Sequence, residues 1–367
     1  VSAKQVKVDF YGHPVVFTIH GEWYTQSTVC QQKEQLESQL NAWLGSNQID
    51  SISTQLTYWS NVYELDDLGY LLLLNKLTDQ LLKYNADNCK TLFKYAVLDQ
   101  KGLDVFLGYT QTRITLYGRT NIMIDNCLYI ERGNKKYFDL SFNQQKEPEA
   151  EALFVMHHSR NVVPLVVNTI TPPKLNALVS KRTIPYEFDG MVYFLPVSVN
   201  QSLVAYYHDL PTINIGTMYL NYGLSANAQQ TLVSEIKKAT QAYQTTAALS
   251  FILGFVQQSF EYKKDEETYG QEKFSFPEET LVNRYADCED KAILFAVLVQ
   301  QVLGLKTVAL YYKDAEHINV AVETWKQKQE GQFTFNNHKY IVCEPSAKGY
   351  ALGDNGQNVS VAQLIDW

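Results

Sequence analysis

The sequence predicts an α+β protein made of two related units, and three observations carry that expectation. Stretches such as "VKVDFYGHPVVFTI" at Val6 to Ile19 alternate apolar and polar residues with the two-residue period of strands. A nearly unbroken apolar run from Ala292 to Val299 resumes at Val302 and Leu303 and stops at Gly304, which is the length of a helix buried on most of its circumference. The same helix, glycine and strand recur 202 positions upstream, where Gly102 stands for Gly304.

Taken in order, Val6 to Ile19 reads as a hairpin turning at Gly12, His13 and Pro14. A helix is expected over Gln32 to Leu44, ended by Gly45, and a second apolar-periodic stretch runs from Leu65 to Leu82. Tyr84 to Tyr109 then supplies a helix, a glycine stop and a strand. Slid forward by 202 positions, Leu92 and Phe93 fall on Leu294 and Phe295, Val97 on Val299, Leu103 on Leu305 and Tyr109 on Tyr311. "RTNIMID" at Arg119 to Asp125 resembles "HINVAVE" at His317 to Glu323, and "KKYF" at Lys135 resembles "HKYI" at His338. The upstream hairpins match loosely, "DFYGHPVVF" at Asp9 against "EFDGMVYFL" at Glu187. These ordered matches read as a tandem duplication with Pro172 and Pro173 as a rigid connector, giving units 1–170 and 171–367. The second unit has extra material at Leu203 to Leu224 and Lys263 to Pro277, and insertions of this kind shape clefts.

The formal net charge is -8 with no block of like charges, so neither nucleic acid nor an anionic membrane surface is an expected partner. No apolar run reaches the roughly 18 residues that cross a bilayer. The chain begins at Val1 rather than methionine, from which a removed N-terminal segment and export to the periplasm or cell surface are expected. Five cysteines, odd in number and without a CxxC pair, show no zinc spacing, and no metal or cofactor is expected.

Chemistry concentrates in the second unit. A cysteine nucleophile attacks as its thiolate and needs an imidazole to take the proton and a third group to orient that imidazole. Cys288 opens the long helix, where unpaired N–H groups and the helix dipole favour negative charge. Asp287, Glu289 and Asp290 oppose ionisation and must point away or be paired, with Lys291 and Arg284 close in sequence. His317 opens the following strand, with Ile318, Val320 and Val322 on a core face and His317, Asn319, Ala321 and Glu323 on a face toward cleft or solvent. Glu344 ends a later strand before Pro345 and is the acid placed to hold the histidine, while Cys343 beside it points to the opposite face and packs.

The string "PEETLVNRYADCEDKAILFAVLVQQVLGL" resembles the core motif of transglutaminase-like proteins, a papain-related superfamily with Cys, His and Asp in that chain order. The resemblance implies two papain-like units, each a buried helix packed on an antiparallel sheet, with catalytic roles on Cys288, His317 and Glu344. Ala286 replaces the usual glycine and Glu344 the usual aspartate. It further implies a cysteine hydrolase, or acyl transferase, acting on a peptide, amide or isopeptide bond of a peptide or protein substrate. Some calcium-requiring bacterial relatives use acids flanking the nucleophile, here Asp287 and Glu289, but two carboxylates do not make a calcium site. The sliding register puts Ala86 under Cys288, Arg119 under His317 and Ser141 or Asp139 under Glu344, with Cys89 opposite Lys291, so the first unit reads as a degenerate, non-catalytic copy. The rival expectation is a non-catalytic protein- or glycan-binding scaffold, which 25 tyrosines would also suit.

Overall fold

The computed structural model describes residues 3–21, 33–110, 113–142, 154–213, 218–265, 267, 270, 273–324, 331–354, 361–365 and 367. It is mixed α+β. The chain divides into two compact units: residues 1–168 with 173–175 and 209–213, and residues 169–172, 176–208 and 214–367.

In the first unit, strands β1 (Ala3–Phe10) and β2 (His13–His20) form an antiparallel hairpin in which Phe10 faces His13. The turn is therefore Tyr11–Gly12 rather than Gly12–Pro14. Both residues have positive φ, 54° and 87°, the geometry of a two-residue loop that matches strand twist, and proline is left as a strand residue. Helices α1 (Lys33–Trp43), α2 (Asn47–Tyr63), α3 (Asp67–Leu81) and α4 (Asp87–Lys101) follow. Then come β3 (Val105–Tyr109), β4 (Ile114–Gly118), β5 (Tyr129–Arg132), β6 (Lys135–Asp139) and β7 (Phe154–His158), an antiparallel sheet ordered β5-β6-β4-β3-β7.

The second unit also starts with a hairpin, β8 (Val179–Phe188) and β9 (Met191–Asn200), again closed by two positive-φ residues, Asp189 and Gly190. Helices α5 (Gln201–His208), α6 (Met218–Tyr222), α7 (residues 226–240, with a π turn at Gln229–Val233) and α8 (Thr245–Ser259) follow. The two-residue strands β10 (Glu261–Tyr262) and β11 (Tyr285–Ala286) pair in parallel, with α9 (Pro277–Val282) between them in sequence. Helix α10 (Cys288–Leu303) comes next, then β12 (Thr307–Tyr312), β13 (His317–Glu323), β14 (Gln332–Phe335), β15 (His338–Cys343) and β16 (Gln363–Ile365). The sheet is ordered β14-β15-β13-β12-β16, the path taken by the first sheet strand for strand.

Helix α10 is the centre of this unit. Asp290 through Val299 are all buried, because its apolar run meets α8 (Phe251, Ile252, Phe255), the hairpin (Ile184, Tyr186, Leu195) and the sheet (Ala309, Val320, Ile341). The N-cap Asp287 accepts the Asp290 N–H at 3.2 Å, and Gly304 ends the helix at φ 68°.

Two sequence expectations need correction. With Tyr109 on Tyr311, the ladders set Tyr109 opposite Ile114 and Tyr311 opposite Ile318, so Ile114 matches Ile318 and the counterpart of His317 is Arg113, not Arg119. Arg119 to Asp125 follow β4 and form no strand; the likeness of "RTNIMID" to "HINVAVE" came from shared alternation, out of register. Nor is β13 one-sided: Ile318, Val320 and Val322 pack toward α10, while Ala321 joins Val308, Tyr340 and Val342 in a second cluster on the other face.

Candidate active site

Cys288 is the first residue of α10 and 5% exposed. Being first, it has no intrahelical partner for its own N–H, and the helix dipole favours negative charge there. Its sulfur accepts the backbone N–H of Ile318, which brings the start of β13, and so His317, to the helix mouth.

His317 is half-buried and its Nε2 lies 2.6 Å from Glu344 Oε2. The register explains the contact. Val320 pairs with Cys343, so Asn319 is opposite Glu344 with its side chain on the same face, and His317 is two residues further along that face. Turned so that its NH2 group donates, the fully buried Asn319 amide bonds Glu344 Oε2 at 2.6 Å and the Ile318 carbonyl at 3.2 Å. The second Glu344 oxygen accepts the Ser346 N–H at 2.9 Å and its hydroxyl at 2.6 Å, and Gln257 of α8 holds the Glu344 carbonyl at 2.8 Å. Such a carboxylate cannot rotate without breaking several bonds. Burial lowers the pKa of His317, but the bond and charge of Glu344 outweigh it and leave the imidazole above its ordinary 6.5. With Nε2 committed, Nδ1 is the ring atom left to take a proton.

The acids around the thiol do not all point away. Glu289 turns back, and its Oε2 accepts the Cys288 thiol proton at 2.9 Å. Burial first, then the charge and hydrogen bond of Glu289, and then Asp287, push the thiol well above its usual range. The resting site therefore holds a protonated thiol. Arg284 pairs with Glu261 at 2.8 Å and Lys291 Nζ bonds the Ser346 carbonyl at 3.1 Å, so neither basic neighbour is on the sulfur. Lys291, buried and beside the Lys348 charge, is pushed down to about 8. As expected, Cys343 is fully buried and packs with the α10 core.

No protein-family model, curated protein or solved structure matches this chain.

Sequence reasoning missed two residues. The hydroxyl of Tyr262 hydrogen-bonds Cys288, because β10 pairs with β11 and sets Tyr262 beside Ala286, two residues before the cysteine. A parallel pairing of two residues leaves no periodic signal. Asn319 was placed on the face of His317 by alternation, but its bond to Glu344 depends on ladder register, which the chain does not spell out. The flanking pair Asp287 and Glu289 does not converge on one ion: Glu289 serves the thiol, whereas Asp287 belongs to a buried group with Asp265 and Asp290.

In the first unit none of the corresponding positions carries a thiol, an imidazole or a carboxylate. Sixteen residues before the capping glycine stands Ala86, as Cys288 stands sixteen before Gly304. Arg113 takes the place of His317, and because Tyr117 pairs with Asp139 as Ala321 pairs with Val342, Ser141 takes that of Glu344, one of the two positions expected from the sequence. Cys89 is disulfide-bonded.

Proposed function

We propose that the second unit is a transglutaminase-like cysteine hydrolase of papain-like architecture, acting on a peptide, amide or isopeptide bond. The observation that carries this reading is a helix-mouth thiol bonded to the backbone of Ile318, next in sequence to a histidine whose ring nitrogen is held by a buried, fully bonded carboxylate. Substrate binding displaces Glu289 from the thiol; His317 Nδ1 takes the proton, and the sulfur attacks the carbonyl carbon. The Cys288 N–H and the Tyr262 hydroxyl are the donors for the oxyanion. The imidazolium returns its proton to the leaving amine, and water, activated by the same histidine, resolves the acyl-enzyme. An amine in place of water would give acyl transfer from the same residues. The first unit is a non-catalytic duplicate, a reading supported by the common strand order and by Ala86, Arg113 and Ser141 in place of the three site residues. The disulfide at Cys89 supports export to an oxidising compartment such as the periplasm or cell surface.

The bond from thiol to Glu289 favours a second reading, a binding scaffold with a dormant thiol. Alkylation separates the two. For the hydrolase, Cys288 in the whole chain reacts with iodoacetamide at pH 7 faster in Glu289→Gln than in the parent by about tenfold, and His317→Ala removes the gain. Rates equal to a model thiol in all three proteins would establish the scaffold.

A further inference from the structure

One end of the first sheet gathers positive charge on a single face. Phe106 pairs with Tyr117 and His158, Tyr117 with Asp139, and Arg132 with Lys135, so Asp104, Arg119, Arg132, Lys135 and His158 share the face of the Phe106, Tyr117 and Tyr137 cluster. Asp104 is 1% exposed, and its carboxylate takes Arg119 Nε at 2.8 Å and faces Lys135 Nζ at 3.7 Å. His158 Nε2 bonds the same carboxylate at 3.3 Å and therefore carries the ring proton, which leaves Nδ1 to accept from Arg132 Nη1 at 3.1 Å. Arg132 also lies over the Phe106 ring at 5.0 Å. The protein itself thus orients this guanidinium.

The charges at this end do not cancel. Arg119, Arg132 and Lys135 carry three positive charges against the one negative charge of Asp104, which leaves two in excess. Among the described residues Arg132 makes no ion pair and Lys135 Nζ no hydrogen bond. Glu131 points to the opposite face, toward Lys136 at 4.0 Å, and Asp139 lies at the far end of β6, toward Arg113 at 3.9 Å. The side chains of Arg119, Lys135 and His158 are 22%, 42% and 33% exposed, so the excess charge is open to solvent.

The second sheet serves as an internal control. There the Glu323 N–H bonds the Lys306 carbonyl at 2.9 Å, as the Arg119 N–H bonds that of Asp104 at 3.1 Å, and Phe335 pairs with His338 as Arg132 pairs with Lys135. Arg119, Arg132 and Lys135 thus have Glu323, Phe335 and His338 as counterparts. Asp104 holds the cluster together, but the same strand order forms without clustered cations.

We propose that Arg119, Arg132 and Lys135 bind the phosphate group of a small phosphate monoester. Such a group carries roughly -1.5 to -2 charge at neutral pH and three strong acceptor oxygens, which matches the excess, and the planar fork of Arg132 suits two of those oxygens. The formal net charge of -8 turns away polyanions and anionic membranes, so the occupant is a small molecule. The inference does not depend on the hydrolase reading, because all of its residues lie in the first unit.

The test titrates the whole chain by calorimetry at neutral pH and low ionic strength with sodium phosphate, glycerol phosphate and sodium acetate. One site per chain is expected, similar for the two phosphates and at least about tenfold weaker for acetate. Arg132→Gln weakens phosphate binding at least about tenfold, and Arg132→Lys, which keeps the charge but loses the fork, falls between it and the parent. Lys136→Gln, which removes a charge of the same strand from the opposite face, binds like the parent. Thermal melting checks that each variant folds; Lys135→Gln, at a more exposed side chain, serves where Arg132→Gln does not. Absence of saturable phosphate binding to the parent overturns the proposal, as does rejection of glycerol phosphate. Equal weakening in Arg132→Gln and Lys136→Gln also overturns it, since the attraction would then be a general effect of charge.

Discussion

His317 shows how one residue's chemistry follows from two opposing effects. Burial alone would drive the imidazole neutral, whereas Glu344 favours the charged form and prevails. A histidine with a raised folded pKa contributes stability that is complete below its unfolded value near 6.5 and is lost as pH rises through the folded value. Proton NMR of the His317 ring should therefore give a midpoint above 6.5 in the parent. In Glu344→Gln the opposing burial is left alone and the midpoint should fall below 6.5; an unchanged midpoint would mean that Glu344 does not govern the ring. Of this site, Cys288, His317 and Glu344 were legible as residue types at the right element ends. The direction of Glu289 was not, because a first-turn acid satisfies helix-dipole rules whether it faces solvent or turns back on the thiol.

At the scale of elements, α4 and α10 were readable because a long apolar run and a positive-φ glycine stop are both local signals. Helix α2 was overlooked, although Ser46 caps it and Ile49, Ile52 and Leu56 are buried at helical spacing, since polar residues outnumber them and lower the contrast. Register was illegible throughout, being fixed by hydrogen bonds between distant strands. Another such long-range fit lies in α8. The fully buried Tyr186 of β8 donates its hydroxyl to the Phe251 carbonyl at 2.9 Å, and a Cβ on Gly254 would stand 2.5 Å from that hydroxyl. Helix propensity by itself would favour Gly254→Ala by up to about 1 kcal/mol. Overpacking against a rigid, enclosed ring costs more, roughly 1–3 kcal/mol, so the net change should be destabilising. A lower urea midpoint with an unchanged slope would verify it.

Across the whole chain, two sheets of the same strand order carry different charged chemistry. In the first, the buried Asp104 takes Arg119 Nε at 2.8 Å, the Tyr137 hydroxyl at 3.1 Å and His158 Nε2 at 3.3 Å. Burial raises its pKa, but Arg119, His158 and Tyr137 together hold it below the usual 3.8. Its contribution is therefore present above pH 3.8 and lost as pH falls through the lower folded value. No cysteine sits in this network among the described residues, and the counterparts of the three site residues are Ala86, Arg113 and Ser141, so the network reads as structural. Asp104→Asn leaves Arg119 without its carboxylate and should cost roughly 2–3 kcal/mol, seen as a lower Tm at pH 7 that converges toward the parent near pH 3. If the chemistry resides in the second unit, the same variant at a temperature where it remains folded should alkylate at Cys288 at the parental rate. A fall in that rate alongside Tm would show that the first unit shapes the site, and the duplicate could no longer be read as a bystander to the reaction.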